Sequence, residues 1–288
     1  SNDLMAKLAI SKKIMDKHQE ISRGNANGTT NYNAPIVENY EAVPATYNIP
    51  QEYASETSLS EVSNALNGES SLKVAICNTN TVVRSYRDQQ LSDIVNSFDI
   101  KTPDGFPIAK SSSILYKNGQ RRVDGYNVFL STIQDGLSRN TRHYFYGSED
   151  LVIQKLVKKL KNDFPGINIV GSFSPPTGSY EELAEEQYAK DIIETEPDIV
   201  WVSLGFPKQE LFINLFQEKY SLGSNLVGIG AVFEWVAGTK IKAPEFLANL
   251  GLEWILRLAQ EPKRLFRRYF VDNLLFLYLI TKQYISKK

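Results

Sequence analysis

IVWVSLGFPKQELFINLFQEKY, residues 199–220, is the stretch that decides the fold. Ile199 to Leu204 is almost wholly apolar, with Ser203 its one polar member. A run of that length and character reads as a strand buried on both faces, as in a parallel sheet. Gly205 and Pro207 then break it, and Gln209–Tyr220 reads as a helix.

The same alternation extends in both directions. Upstream, Ser60–Leu66 reads as a helix and Lys73–Cys77 as a short buried strand. Thr81–Phe98 carries helical periodicity through Val82, Val83, Tyr86, Leu91, Ile94 and Val95. Thr102-Pro103-Asp104-Gly105 reads as a turn leading into a further helix. His143–Tyr146, Ile167–Ser172 and Asn225–Gly230 read as strands, Asp150–Phe164 and Tyr180–Thr195 as helices. Strands alternating with helices predict an α/β fold, a Rossmann-like parallel sheet flanked by helices. Ligands of such sheets sit beyond the carboxyl ends of the strands, so the loops there are the ones to inspect.

Residues 1–22 place Leu4, Met5, Leu8 and Met15 on one helical face, and 23–44 read as a linker, which makes 1–44 an N-terminal extension. The α/β domain is expected over 45–250. Residues 251–288 form a basic, apolar appendage. There Arg257, Lys263, Arg264, Arg267, Arg268, Lys282, Lys287 and Lys288 outnumber Glu253, Glu261 and Asp272. Such a tail suits an anionic membrane surface or an acidic ligand, and its apolar side chains could support a homo-oligomer.

Composition narrows the function. The net charge of −1 supplies no field for nucleic acid, so none is expected as a partner. Cys77 is the single cysteine, which rules out an internal disulfide and fits a reducing, cytoplasmic compartment. Two histidines make a His-based metal cluster improbable. The polar N-terminal residues do not read as a secretory leader, so none is expected. The apolar run Leu274–Ile280 falls short of the ~20 residues needed to span a bilayer, so peripheral attachment is expected.

Four polar clusters stand at loops: Asn78-Thr79-Asn80, Asp104-Gly105, Gly147-Ser148-Glu149-Asp150 and Gly205-Phe206-Pro207-Lys208-Gln209-Glu210. Free N–H groups at a helix start suit phosphate. Glycine and aspartate are also ordinary turn and cap residues, and Asp104-Gly105 after Pro103 would make a good β-turn. As a function, a loop carboxylate such as Asp104 could accept a proton from a substrate hydroxyl.

The order of these clusters carries more than any one of them. With Arg122-Val123-Asp124-Gly125-Tyr126-Asn127, Gly228-Ile229-Gly230-Ala231-Val232-Phe233-Glu234, Lys242-Ala243-Pro244 and the tail from Gly251-Leu252-Glu253-Trp254 to Arg267-Arg268-Tyr269, residues 60–282 resemble the WecG/TagA/CpsF glycosyltransferases. The resemblance implies transfer of N-acetylmannosamine, its uronic acid or a related hexose. The donor would be a UDP-sugar and the acceptor a polyprenyl-diphosphate-linked saccharide, as in cell-surface polysaccharide synthesis at the inner membrane face. It implies inversion at the anomeric carbon with neither metal nor cofactor, UDP-sugar being a substrate. It makes Asp104 the general base and Arg122 its catalytic partner. It assigns Asn78, Asn127, Gly147, Gly205, Gln209, Glu210 and Gly230 to the substrate pocket. Arg257, Arg264 and Arg267 would complete the diphosphate site, where a planar guanidinium fork suits phosphate oxygens.

The chain departs from the family pattern at four points. Ile76 stands where threonine is usual, with Thr79 or Thr81 as possible substitutes for its hydroxyl, and Asn127 replaces aspartate. Glu234 replaces aspartate and Lys242 replaces arginine. Two other readings compete. A nucleotide-binding α/β oxidoreductase would need a Gly-x-Gly-x-x-Gly turn after its first strand, which is missing. A non-catalytic, membrane-associated assembly subunit would not need Asp104, Arg122 and Gln209, which are present.

Overall fold

The computed structural model describes residues 57–244, 247, 252–260 and 262–286 of the chain. The amphipathic helix expected over 1–22 and the linker after it lie outside the described residues. Six strands form one parallel sheet: β1 (Lys73–Cys77), β2 (Ile100–Pro103), β3 (Arg142–Gly147), β4 (Asn168–Phe173), β5 (Ile199–Ser203) and β6 (Asn225–Gly228), in the order β2-β1-β6-β5-β3-β4. Every neighbouring pair is parallel, so all six carboxyl ends open on the same edge.

Side-chain alternation along the strands makes two cores. Val74, Ile76, Phe145, Trp201 and Val227 point to one face. There they pack against α1 (Leu59–Gly68), α5 (Gly125–Gly136), α6 (Asp150–Asp163) and α10 (Val232–Val236). Ala75, Cys77, Tyr144, Tyr146, Val200, Val202 and Leu226 point to the other. That face is covered by α3 (Gln89–Asn96), α7 (Tyr180–Leu183), α8 (Glu186–Thr195) and α9 (Lys208–Tyr220). Burying side chains of this size stabilises the fold by about 1.5–3 kcal/mol each. His143 belongs to this packing: its Nδ1 accepts from Trp201 Nε1 at 3.2 Å, and burial pushes its pKa down to about 4.

Three elements differ from the sequence reading. The helix expected over Thr81–Phe98 is two, α2 (Thr79–Arg87) and α3, because Asp88 turns the chain and caps the second, accepting from Leu91 N at 3.0 Å. Ile100–Pro103, half assigned to a turn, is edge strand β2; only its last residue borders the turn, and an edge tolerates proline. Tyr180–Thr195 is broken into α7 and α8 at Ala184 and Glu185.

The tail forms α11 (Glu253–Gln260) and α12 (Pro262–Ser286). Phe276 of α12 packs with Val82 and Val83 of α2 and Ile108 of α4 (Phe106–Tyr116). Asp272 pairs with Arg87 at 3.0 Å beside them. The opposite side of α12 carries Phe266, Phe270, Leu274, Leu277, Tyr278 and Ile285, all exposed. Phe266, Phe270 and Leu274 thus give α12 an apolar face away from the core. This helix is apolar on two sides, one docked through Phe276 and one exposed.

Candidate functional site

Adjacent strands β1 and β6 send the chain to opposite faces, β1 through α2 to α3 and β6 to α10. Such a divergence opens a crevice at the carboxyl edge. Two backbone hydrogen bonds gather loops around it. Asp104 N–H donates to Cys77 O at 2.8 Å, joining the ends of β2 and β1. Val123 N–H donates to Pro103 O at 3.1 Å, drawing the Arg122 segment to the same corner. Asn78, Asp104 and Arg122 are thus brought together by main-chain bonds that do not depend on their side chains.

Asn78 is the N-cap of α2, with Oδ1 accepting from Asn80 N at 3.0 Å and Thr81 N at 3.4 Å. Thr81 Oγ1 accepts from Asn78 N–H in return, so this hydroxyl serves the cap. Ile76 belongs to the core and faces Gly125 at the start of α5. A side chain there packs beneath the site and does not line it.

Arg122 is largely enclosed and holds two carboxylates, Asp124 Oδ2 at 3.3 Å and Glu253 Oε2 at 3.4 Å. The second links the tail to the site, and no sequence signal singled it out. Asp124 also caps α5, accepting from Asn127 N at 3.2 Å, while Asn127 Nδ2 donates to Asp124 Oδ2 at 2.7 Å. This explains the departure at 127. The carboxylate stands three residues earlier, and an amide is needed to donate to it. Asn127→Asp should set two acceptors against each other and cost about 1–3 kcal/mol. Thermal unfolding at neutral pH measures that loss, which should shrink in acid, where one carboxyl regains a proton to donate.

The β5 and β6 loops behave differently from the expectation of direct ligand contact. Gln209 and Glu210, at the start of α9, are only 3% and 1% exposed. Gln209 Oε1 accepts from Gly230 N–H at 3.0 Å, and its Nε2 donates to Glu210 Oε1 at 3.0 Å. Burial pushes the Glu210 carboxyl up to about 7. Both side chains brace the β6–α10 loop and are enclosed by protein. Gly147, at the end of β3, is required by sterics: a Cβ there would lie 2.4 Å from Ser203 O. Gly205 begins the turn into α9 and its carbonyl accepts from Gln209 N–H at 3.0 Å.

Arg257 lies on α11, and Arg264 and Arg267 on the first turns of α12; their side chains are outside what the structure describes. Lys242, in place of arginine, stands 4.1 Å from the centre of the Tyr126 ring, a cation–π contact over the start of α5. Glu234 Oε1 meets Lys240 at 3.5 Å. Among the described residues, no group of three or more His, Cys, Asp or Glu could hold a metal ion. Also among them, no helix is long and apolar enough to cross a membrane.

Residues 48–288 match the model of the glycosyl transferase WecG/TagA/CpsF family. A Bacillus spizizenii protein named N-acetylglucosaminyldiphosphoundecaprenol N-acetyl-beta-D-mannosaminyltransferase is 33% identical over 171 residues, 59% of this chain. The chain spans 64% of that relative's length. Proteins of the same name from Bacillus subtilis and Staphylococcus aureus are 29% identical over 191 residues and 26% over 211. Those matches cover 66% and 73% of this chain, and 72% and 80% of theirs. With the family match running across the sheet, the crevice and the tail, the chain belongs to the glycosyl transferase WecG/TagA/CpsF family.

Proposed function

We propose that this enzyme transfers an N-acetylmannosamine-type sugar from a UDP donor to a polyprenyl-diphosphate-linked saccharide, with Asp104 as base. The observation that carries this reading is the corner where the bonds at Cys77 and Pro103 gather Asn78, Asp104 and Arg122. In a single displacement, Asp104 takes the proton of the acceptor hydroxyl as its oxygen bonds to the anomeric carbon. The bond from that carbon to the donor phosphate breaks, and UDP leaves with the electron pair. Formation of a β-linked sugar from an α-linked nucleotide donor inverts the carbon, and the relatives' names specify a β product. Arg122, with Arg257, Arg264 and Arg267 of the tail, would balance the charge on the leaving diphosphate. No cofactor takes part in this reading. A panel of UDP-sugars, assayed for acceptor-dependent UDP release and for product anomer, tests it. A UDP-N-acetylhexosamine should be turned over to the inverted product; retention of configuration would refute the single displacement.

The lipid acceptor places the reaction at a membrane surface, on its cytoplasmic side in this reading. The exposed stripe of α12 supports such attachment, since Phe270 and Leu274 are 64% and 59% exposed on the side away from the core. Phe270→Ser with Leu274→Ser removes apolar area without touching the docked face. Partial burial of two such side chains is worth at least ~1.4 kcal/mol, so binding to phosphatidylglycerol vesicles should fall about tenfold or more. Unchanged vesicle binding, with the variant sedimenting as a smaller species than the parent, would instead assign the stripe to a second copy.

A further inference from the structure

Gly230 is held on both sides. Its N–H donates to Gln209 Oε1 at 3.0 Å, and its carbonyl accepts from Ser203 Oγ at 2.7 Å. Its φ of +57° is a conformation that glycine adopts at little cost. Gln209 reaches it by lying flat against the end of β6. A Cβ on Gly228 would come within 2.9 Å of Gln209 Nε2 and 3.2 Å of its Cδ and Cγ, so only glycine at 228 leaves room for the amide. Gly228 is in register with Ala75 of β1, two residues before Cys77, which places the clamped loop on the border of the crevice.

A glutamine amide has two different ends, one accepting and one donating. Gly230 N–H can only donate, so Oε1 must face it. Glu210 Oε1 accepts from Nε2 and so selects this orientation. With the amide turned over, two donors would confront each other in a buried place, where water cannot relieve the conflict. Glu210 Oε2 is buried with no hydrogen-bond partner, so the ordering contact is made by Oε1 alone. A neutral carboxyl with its proton on Oε2, or an amide in its place, would keep an acceptor at that point.

We propose that Glu210 is a positioning residue of this transferase: through Gln209 it fixes the Gly230 peptide and with it the β6–α10 loop against which the donor binds. The proposal rests on the donor reading above. Its test uses the full-length protein and UDP-N-acetylhexosamine as donor. Glu210→Leu removes the acceptor and should raise the donor KM about tenfold while changing kcat about threefold or less. Glu210→Gln keeps an acceptor and should bring KM back to within about threefold of the parent. Exchange of the Gly230 amide with solvent should quicken in Glu210→Leu. A residue that only fills the core would lower the melting temperature and leave the KM of the folded fraction alone.

An unchanged KM in folded Glu210→Leu, or equal damage in Glu210→Gln, would overturn the proposal. If Glu210→Leu does not fold, the exchanged pair decides. Gln209→Glu sets two carboxyl groups face to face and should weaken donor binding; adding Glu210→Gln restores a donor opposite an acceptor and should recover it. Failure to recover overturns the proposal. If the parent protein binds neither UDP nor a UDP-sugar, the donor reading falls by itself, and exchange at Gly230 still decides whether Glu210 orders the loop.

Discussion

Asp104→Asn should lower kcat about a thousandfold while leaving UDP affinity close to that of the parent enzyme. A positioned general base contributes about 10²–10⁴ to rate, and asparagine cannot take up the proton. The substitution is otherwise conservative. Two bonds that place residue 104 are donated by its backbone N–H, to Cys77 O at 2.8 Å and to Thr102 O at 3.0 Å, and these two survive a change of side chain. Asparagine also suits the turn before α4. Loss of turnover with retained UDP binding would therefore report on proton transfer. Parallel calorimetry and steady-state kinetics on one preparation separate the two.

The second large effect belongs to Arg122. Replacement by glutamine should cut kcat/KM by about 10²–10³, the range for removal of one preorganised group that stabilises developing charge. Arg122→Lys should recover little of it, because an ammonium cannot present the planar fork that pairs with two phosphate oxygens. As the structure stands, that fork is shared between Asp124 and Glu253 at 3.3 and 3.4 Å. Asp124 is committed to the cap of α5 and stays. Glu253 lies on α11, so it is the partner that a diphosphate would replace. Glu253→Gln should accordingly move donor KM the other way, downward. A rise in KM in that variant would mean that Glu253 holds Arg122 ready for the donor and does not compete with it.

The fold was legible in the apolar runs of the inner strands. Ile199 to Leu204 sits between two other strands and is covered on both faces, so every position is apolar or small. β2 was harder to see for the opposite reason: an edge strand of four residues, Ile-Lys-Thr-Pro, lacks that signature. Among the site residues, the order of motifs pointed to Asp104 and Arg122, and the structure adds the two backbone bonds that gather their loops. What spacing could not reveal was direction. Lys208-Gln209-Glu210 looks like an ordinary polar helix start, yet its last two side chains turn inward to hold Gly230. Asn127, in place of aspartate, donates its amide to Asp124 three residues earlier, a pairing that spacing alone does not show. In the tail, apolar residues occur all around α12, so periodicity alone could not separate the docked face of Phe276 from the outer face of Phe270.

The most direct test of Asp104 as the base is UDP release from UDP-N-acetylmannosamine with an N-acetylglucosaminyl-diphospho-polyprenol acceptor, parent and Asp104→Asn side by side. Acceptor-dependent release by the parent, and about a thousandfold less from the variant that still binds UDP, is the expected result. Equal release from the two would contradict the assignment of Asp104 as the base.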